Sequence, residues 1–252
     1  MQRYFITQEQ FGENSVTITG EDARHISRVM RGKPGDKVIV SDGASREALV
    51  ELTSLEAGEV TAAIIDRLEM NAEPKVKVTI AQSLPKGDKM ELVIQKCTEI
   101  GADRFVPFLS ERTIVQYDSK KEGKRVERWR KIAKEAAEQC HRNRIPEVDS
   151  PLGWKALLTS FEEYDLVCYC YEKESGRQLR DMVKPFVEHH PDGGKVLVVV
   201  GPEGGFTEQE SQAAEAAGAF PTGLGRRILR AETAGMAALT CILYESGEMG
   251  GM

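Results

Sequence analysis

Two glycine-bearing loops, separated by one short predicted helix, are the part of this sequence whose residue types and spacing point most directly to chemistry. They read Gly201-Pro202-Glu203-Gly204-Gly205 and Pro221-Thr222-Gly223-Leu224-Gly225. Because glycine lacks a Cβ, such a loop lets the main chain approach a bound ligand closely. The glycines match neither G-x-G-x-x-G nor the phosphate-binding G-x-x-x-x-G-K-[ST]. The loops therefore indicate a ligand held by backbone contacts more than by phosphate neutralisation, with a plain strand-to-helix turn as the alternative.

The elements around these loops predict an α/β arrangement. The apolar run at 196–200 is typical of a strand buried on both faces of a parallel sheet. Thr207 and Glu210 form a T-x-x-E capping box, which predicts a helix start, and Gly218 is placed to end that helix. A second helix, apolar all round, is predicted to end near Tyr244. Since ligands of open α/β sheets bind beyond the carboxyl ends of the strands, both loops are expected to line one pocket.

The first loop, together with the motif Leu224-Gly225-x-x-Ile228-Leu229-Arg230-x-Glu232-Thr233-Ala234, resembles the ribosomal RNA small subunit methyltransferase E family. That family belongs to the SPOUT class, whose methyl donor is S-adenosylmethionine (SAM). The resemblance implies an α/β fold, in which a small PUA-like β-barrel precedes a SPOUT parallel-sheet domain with a C-terminal trefoil knot. It also implies a homodimer that methylates N3 of a specific uridine in the 16S rRNA of the small ribosomal subunit.

On this resemblance, the SAM-binding residues come from the two loops and from the end of an earlier predicted strand at 166–171. Glu172 is included because it lies at the carboxyl edge of that strand, where it could contact the ribose or the amino group of SAM. The complete predicted set is Glu172, Val200, Gly201, Pro202, Glu203, Gly204, Gly205, Leu224, Gly225, Ile228, Leu229 and Arg230.

Methyl transfer to N3 of uridine needs help because the neutral imide nitrogen carries a proton and is a poor nucleophile. Either a base accepts that proton or a cation stabilises the uridine anion. Arg230 is the predicted cation, or it orients a phosphate, and Glu203 or Glu232 is the candidate to accept the proton or to orient a ligand. Each glutamate could instead cap a backbone N–H at a helix start. No Cys/His, Ser/His/Asp or metal-ligand cluster stands out, and no metal is predicted.

Residues 1–71 alternate in the manner of short strands and are predicted to form the RNA-binding β-barrel, whereas residues 72–252 alternate strands with helices and are predicted to form the methyltransferase domain. One helical piece interrupts the first region. In it Arg24, Arg28 and Arg31 fall on one face at helical spacing, where they could contact phosphates, and His25 adjoins them. An ordinary solvated helix face is the alternative.

Four further basic residues are candidates for RNA contact. Lys86 resembles the family pattern, and Arg112 follows the predicted strand 104–109, where it could point into the strand-end crevice or pair with a glutamate. Arg142 and Arg144 end the basic segment 120–144. Because the chain has a net charge of −6, this local positive excess suggests a second RNA surface.

Composition narrows the class of protein. No apolar run approaches the ~18 residues that span a bilayer, and residues 1–5 lack the apolar core of a signal peptide, so a cytoplasmic location is expected. An odd count of five cysteines argues against a disulfide framework. Cys168 and Cys170, in a predicted strand, are expected to be buried reduced thiols.

Three functions remain open on these grounds. The first is the rRNA methyltransferase, with a SPOUT methyltransferase acting on a different RNA as its variant. The second is a non-catalytic RNA-binding protein, which does not explain two glycine loops around one helix. The third is an oxidoreductase with a nucleotide cofactor, suggested by a glycine loop after a strand but lacking the third glycine at the required spacing. A SAM-binding titration separates the three.

Overall fold

The computed structural model of the protein describes residues 1–56, 58–114, 119–171 and 176–251, and the side chains of residues 119–121 are not described. The chain forms two compact units. One contains Met1–Glu73 and Ala137–Ile145, and the other contains Pro74–Ala136 and Pro146–Met252. The short segment Ala137–Ile145 therefore belongs with the N-terminal residues, although no pattern in the sequence indicates it.

The first unit is built on a five-stranded sheet with the order β1-β3-β4-β5-β2. β1 pairs with β3 in parallel, and the remaining neighbours are antiparallel. Alternation buries one face, since Val16 and Ile18 of β2 are 1% and 0% exposed. With β1 and β2 at its edges, the predicted small barrel is a half-barrel. Its strands are β1 (Arg3–Phe5), β2 (Ser15–Thr19), β3 (Lys37–Ser41), β4 (Glu47–Glu56) and β5 (Glu59–Arg67).

The helical piece of this unit differs from the prediction of one continuous α-helix. α1 spans only Gly20–Arg24, and a π-helical turn, His25–Val29, continues it. Arg31 lies beyond the turn with a φ of 52°, in the left-handed region. The expected spacing of i, i+4 and i+7 on one α-helical face is therefore wrong, because the π turn changes the number of residues per turn.

Buried ionic contacts hold the segment Ala137–Ile145 within the first unit. Arg3 and Glu47 pair at 2.7 Å, and both side chains are at most 5% exposed. A further nitrogen of Arg3 donates to the main-chain oxygen of Arg142, whose own guanidinium pairs with Glu73. Charges this deeply buried need such partners, since an unpaired one costs several kcal/mol.

The second unit is the predicted α/β domain, with a seven-stranded sheet of the order β12-β10-β11-β6-β7-β8 in which β9 also pairs with β7. All of its pairings are parallel. Its strands are β6 (Lys77–Ser83), β7 (Arg104–Leu109), β8 (Glu147–Val148), β9 (Leu152–Gly153), β10 (Leu166–Cys170), β11 (Lys195–Val200) and β12 (Phe220–Thr222). Its helices are α2 (Lys89–Ile100), α3 (Ser119–Gln139, whose residues from Ala137 onward are counted with the first unit), α4 (Trp154–Thr159), α5 (Leu179–His189), α6 (Glu208–Ala216) and α7 (Ala231–Glu245).

The core of this unit lies on both faces of the sheet, as the apolar run at 196–200 predicts. Val198 and Val200 of β11 pack into one hydrophobic cluster, and Leu197 and Val199 pack into another. All four are at most 2% exposed. The parallel-sheet fold class is thus confirmed, while the trefoil knot stays a prediction. All five cysteines are free thiols, and within the described residues no helix is long and apolar enough to span a membrane.

Candidate active site

A cavity of about 430 Å³ opens at the carboxyl ends of three neighbouring strands. The last residues of β10, β11 and β12, which are Cys170, Val200 and Thr222, line it. The two glycine loops, residues 226–230, the start of α7 and Lys89 of α2 supply the remaining walls. This is the position at which an open parallel sheet binds its ligands, and it brings both loops to one pocket as the sequence predicts.

Every predicted SAM-binding residue that the structure describes lines this cavity. Glu172 lies outside the described residues. The predicted catalytic residues Arg230, Glu203 and Glu232 line the cavity as well. The predicted positions that line it are Val200, Gly201, Pro202, Glu203, Gly204, Gly205, Leu224, Gly225, Ile228, Leu229 and Arg230.

The first glycine loop is a tight turn that needs its glycines. The N–H of Gly205 donates to the carbonyl oxygen of Pro202 at 2.9 Å, and Gly205 has a φ of 66°. A side chain at such a φ is strained. At Gly201 a Cβ would lie 3.1 Å from the ring of Phe206, a tight contact that this ring would have to shift slightly to accommodate.

The predicted capping box is formed and fixes where the loop enters α6. Thr207 Oγ1 accepts from the N–H of Glu210 at 3.2 Å, and Glu210 accepts from the N–H of Thr207 at 2.9 Å. The same carboxylate, only 4% exposed, accepts from the N–H of Glu111 at 2.7 Å. Glu210 therefore ties the start of α6 to the segment that follows β7.

Arg112 supports the glycine loop from this neighbouring segment. Its Nη1 donates to the carbonyl oxygen of Gly204 at 2.7 Å. The sequence leaves open whether Arg112 points into the strand-end crevice or pairs with a glutamate, and the structure shows it instead on the main chain of the loop. Its side chain is exposed, so it also remains available for the predicted RNA contact.

Lys89 joins the two acidic residues of the cavity. Its Nζ lies 3.0 Å from Glu203 Oε1 and 3.3 Å from Glu232 Oε2. Burial would raise the pKa of Glu203, but the hydrogen bonds that its carboxylate accepts from backbone N–H groups and from Lys89 hold that pKa below its ordinary value. The hydrogen bond to Glu203, followed by that to Glu232, raises the pKa of Lys89. Lys89 and Glu203 are therefore both charged at neutral pH.

The segment between the second loop and α7 presents cations around the cavity. Arg230 is the N-cap residue of α7, and its carbonyl oxygen accepts from the N–H groups of Thr233 and Ala234. Its side chain is exposed, as are those of Arg226 and Arg227 in the same segment. In the described part of the chain none of these three guanidiniums has an ion-pair partner, so each can meet an anionic or electron-rich ligand.

The predicted RNA-binding residues of the first unit lie in different environments. Arg24, Arg28 and Arg31 are exposed. His25 is half-buried and its Nδ1 lies 2.9 Å from the hydroxyl of Tyr4. Burial, with the nearby Glu138 and Asp22 carboxylates, raises the pKa of Tyr4 to about 12, so this hydroxyl stays neutral. The three arginines remain candidates for RNA contact, and His25 has a structural partner.

The remaining basic candidates also divide by exposure. Lys86 and Arg144 are exposed. Arg142 is only 5% exposed and its guanidinium binds Glu73, so its side chain is engaged within the protein and its contact with a substrate stays a prediction. Part of the basic helix α3 is likewise engaged: Arg128 pairs with Glu91 at 2.7 Å, and Arg130 donates to the carbonyl oxygen of Val148.

Several cavity residues are absent from the predicted set. Lys89, Cys170, Tyr171, Arg226 and Arg227 line the cavity without having been expected there. The two arginines occupy the unspecified positions of the motif Leu224-Gly225-x-x-Ile228, and their place between predicted residues is a usable signal. The contact between Lys89 and Glu203 has no such signal, because 114 residues of sequence separate the two. Among the described residues no group of three or more His, Cys, Asp or Glu side chains could hold a metal ion.

A parallel sheet with a glycine-walled, strand-end cavity and a separate small β unit is the organisation of an RNA methyltransferase, and family models agree. An RNA methyltransferase domain matches residues 71–243, and an RNA methyltransferase PUA domain matches residues 18–65. The ribosomal RNA small subunit methyltransferase E of Bacillus subtilis (strain 168) is 43% identical over 249 residues, which cover 98% of this chain and 97% of that protein. The chain belongs to the ribosomal RNA small subunit methyltransferase E family, as its motifs predict.

Other relatives agree with this assignment. The family member of Synechocystis sp. (strain ATCC 27184 / PCC 6803 / Kazusa) is 35% identical over 95% of this chain and 76% of its own length. A crystal structure of the Neisseria gonorrhoeae family member, bound to S-adenosyl methionine, superposes with a TM-score of 0.85 at 32% identity and covers 97% of both chains. Both units of the present fold are therefore those of the family.

Proposed function

We propose that this protein transfers the methyl group of SAM to N3 of a specific uridine in the 16S rRNA of the small ribosomal subunit. The observation that carries the proposal is the strand-end cavity, because it gathers all of the described residues that the motifs assign to SAM. Family membership supplies the reaction class, and the choice of N3 of uridine rests on the resemblance.

The chain can hold the donor chiefly with its main chain. The main chain of residues 201–205 and 223–225 lines the cavity, while Leu224, Ile228 and Leu229 supply apolar contacts. SAM would supply a methyl group on a sulfonium, which transfers by in-line displacement. The contribution of the protein to such a step is to hold donor and acceptor collinear and close, and a first loop held by Arg112 and followed by the cap of Glu210 suits that task.

Arg230 and the two glutamates have different proposed roles. Arg230, exposed at the cavity, stabilises the negative charge that develops on the uracil ring as N3 loses its proton. Glu203 is a weak base because its pKa is held low, so it orients the donor. Glu232 is the proposed acceptor of the N3 proton, because its Oε2 has no hydrogen bond beyond the ion pair with Lys89 among the described residues.

The N-terminal unit is the proposed RNA-binding domain, assigned to residues 1–71, with residues 72–252 as the catalytic domain. Its exposed Arg24, Arg28 and Arg31 supply phosphate contacts, to which Lys86, Arg112 and Arg144 add. Contacts of this kind position an RNA without reading its bases, so the choice of nucleotide would be made at the cavity.

We also propose that the protein is a cytoplasmic homodimer. From Thr233 to Tyr244 the sequence of α7 carries no charged residue, yet in the single chain Cys241 and Tyr244 are exposed, Tyr244 at 65%. An exposed apolar helix face is what a second subunit would cover. Light scattering tests the assembly, and a monomer at micromolar concentration contradicts it.

Methylation of small ribosomal subunits with labelled SAM, followed by nucleoside analysis, tests the reaction. We expect label on N3-methyluridine, with the Arg230→Ala variant losing about 100-fold in rate while it still binds SAM, a loss typical of one charge-stabilising group. Arg180→Ala, an exposed arginine of α5 outside the cavity, is the matched control. Label on a ribose or a cytosine would replace the proposed target, and binding of RNA with no transfer would make the protein a non-catalytic binder.

A further inference from the structure

Lys89 occupies a place in the cavity that the proposed reaction has not used. It is the first residue of α2, whereas Glu203 lies in the loop after β11 and Glu232 lies in the first turn of α7. A single ammonium group therefore contacts carboxylates from two other walls of the cavity. Its alkyl chain and charge thus connect three elements that are distant in sequence.

We propose that Lys89 is a positioning residue for SAM: it holds Glu203 and Glu232 in place and balances one of their two negative charges. The proposal rests on the proposed function, since SAM is the ligand to which this arrangement is matched. Lys89 itself takes no part in the transfer of the methyl group.

The distances explain why a cation is needed. Both carboxylate oxygens lie about 3 Å from the same nitrogen, so they are within about 6 Å of each other. At that separation two unbalanced carboxylates disfavour each other's ionised form, and one of them takes up a proton more readily. The ammonium of Lys89 offsets the repulsion between the two carboxylates and leaves the three groups together with a single net negative charge. SAM, with a sulfonium, an ammonium and one carboxylate, carries a single net positive charge.

Other charged groups surround the three residues without replacing Lys89. On the elements that carry or support the cluster they are Lys86, Asp88, Arg112, Arg226, Arg227 and Arg230. Lys86 contributes a backbone N–H to Glu203 at 3.2 Å, and Arg112 donates to a main-chain oxygen. In the described part of the chain the three cavity arginines form no ion pair with either carboxylate. Removal of Lys89 therefore leaves the pair without its cation.

Equilibrium titration of the full-length protein with SAM, between pH 5.5 and 8, tests the proposal without any turnover. The variants are Lys89→Met, which keeps the alkyl chain, and Lys89→Arg, which keeps the charge. We expect the wild type to bind SAM with an affinity that is nearly flat over this range, because the pKa of Glu203 is held low. Lys89→Met should bind about tenfold more weakly at pH 5.5, because one of the two carboxylates then takes up a proton and no longer positions SAM as an ionised acceptor, and the affinity should recover as the pH rises. Lys89→Arg should stay within about threefold of the wild type.

Two further variants make the test specific. Lys96→Met removes a lysine of the same helix that pairs with Glu99 at 2.8 Å on the surface, and it should bind SAM as the wild type does. Adding Glu203→Gln to Lys89→Met removes one of the two unbalanced charges, and we expect the pH dependence to disappear again. This rescue cannot arise if Lys89 acts only as a structural brace.

Three outcomes overturn the proposal. The first is an unchanged affinity for Lys89→Met. The second is an equal loss at every pH, and the third is a loss in Lys89→Arg as large as that in Lys89→Met. If the wild type itself binds no SAM, the cofactor assignment fails first and the role of Lys89 fails with it. Thermal unfolding of each variant confirms that a changed affinity is measured on folded protein.

Discussion

Glu210 should contribute more to the free energy of unfolding of the second unit than any exposed glutamate, although it lies outside the cavity. Its carboxylate is buried and accepts from the backbone N–H groups of Glu111 and Thr207, at 2.7 and 2.9 Å. Hydrogen bonds to a charged group contribute about 1.5–3 kcal/mol each. Water can reach part of this region once the side chain is cut back, so the lower value applies to each bond. Glu210→Ala should therefore cost about 3 kcal/mol of unfolding free energy, and Glu210→Gln about half as much because one acceptor oxygen remains.

Tryptophan fluorescence during urea unfolding measures this loss in the correct unit. The chain has two tryptophans, Trp129 and Trp154, and both belong to the second unit. The ring of Trp154 lies 5.5 Å from that of Phe206, which follows the glycine loop, so its emission also reports on the loop. With a slope of about 3 kcal/mol/M, the midpoint should fall by about 1 M.

Glu208→Ala is the matched control for Glu210→Ala. Glu208 is the first residue of α6, two positions away, and it is exposed. It favours the helix start only through its charge, an effect of about 0.3–1 kcal/mol. Equal midpoints for the two alanine variants would refute the reasoning, because they would mean that the buried hydrogen bonds contribute no more than a solvated charge. A SAM titration of both variants should show weaker binding for Glu210→Ala alone.

Two other perturbations follow from local geometry. Gly205→Ala places a side chain at a φ of 66° in the cavity wall. It should therefore lower the unfolding free energy by about 1–2 kcal/mol and weaken SAM binding. Unchanged binding by titration would show that this turn does not shape the site. In the first unit, burial would raise the pKa of Asp42, but hydrogen bonds from the Arg46 side chain and from the N–H groups of residues 44–46 lower it to about 2. Because the folded pKa lies below the unfolded value of 3.8, the stabilisation from Asp42 is fully present above about pH 4 and is lost as the pH falls toward 2. Hydrogen exchange of β3 should show this loss of stability in acid. The Asp42→Asn variant should not show it.

Local signals in the sequence predict the elements around the site well. The T-x-x-E box predicts the start of α6, and the structure contains both of its hydrogen bonds. Gly218 follows the helix with a φ of 90°, as a terminating glycine should. These predictions succeed because capping depends on residues within one helical turn. The same holds for β11, whose burial on both faces follows directly from its run of aliphatic residues.

Elements that depend on tertiary pairing are harder to predict from the sequence. Residues 220–222 are β12, although Pro221 argues for a loop; the strand is possible because β12 is at the edge of the sheet, where a missing N–H is tolerated. The π turn at His25–Val29 similarly has no clear residue signature. The π turn has a definite consequence, because it removes the α-helical spacing that predicted one phosphate-binding face of Arg24, Arg28 and Arg31.

The charged residues show the same division between local and distant causes. Arg142 looks like a substrate contact at the end of a basic segment, yet its guanidinium is bound to Glu73, 69 residues earlier. Lys89 looks like a residue of a polar turn, yet it balances two carboxylates of the cavity. Charge patterning in a sequence gives the sign of a segment, but not the partner that the fold brings to it. Glycine motifs could therefore locate the cavity in advance, whereas the ion pairs that set its charge required the folded chain.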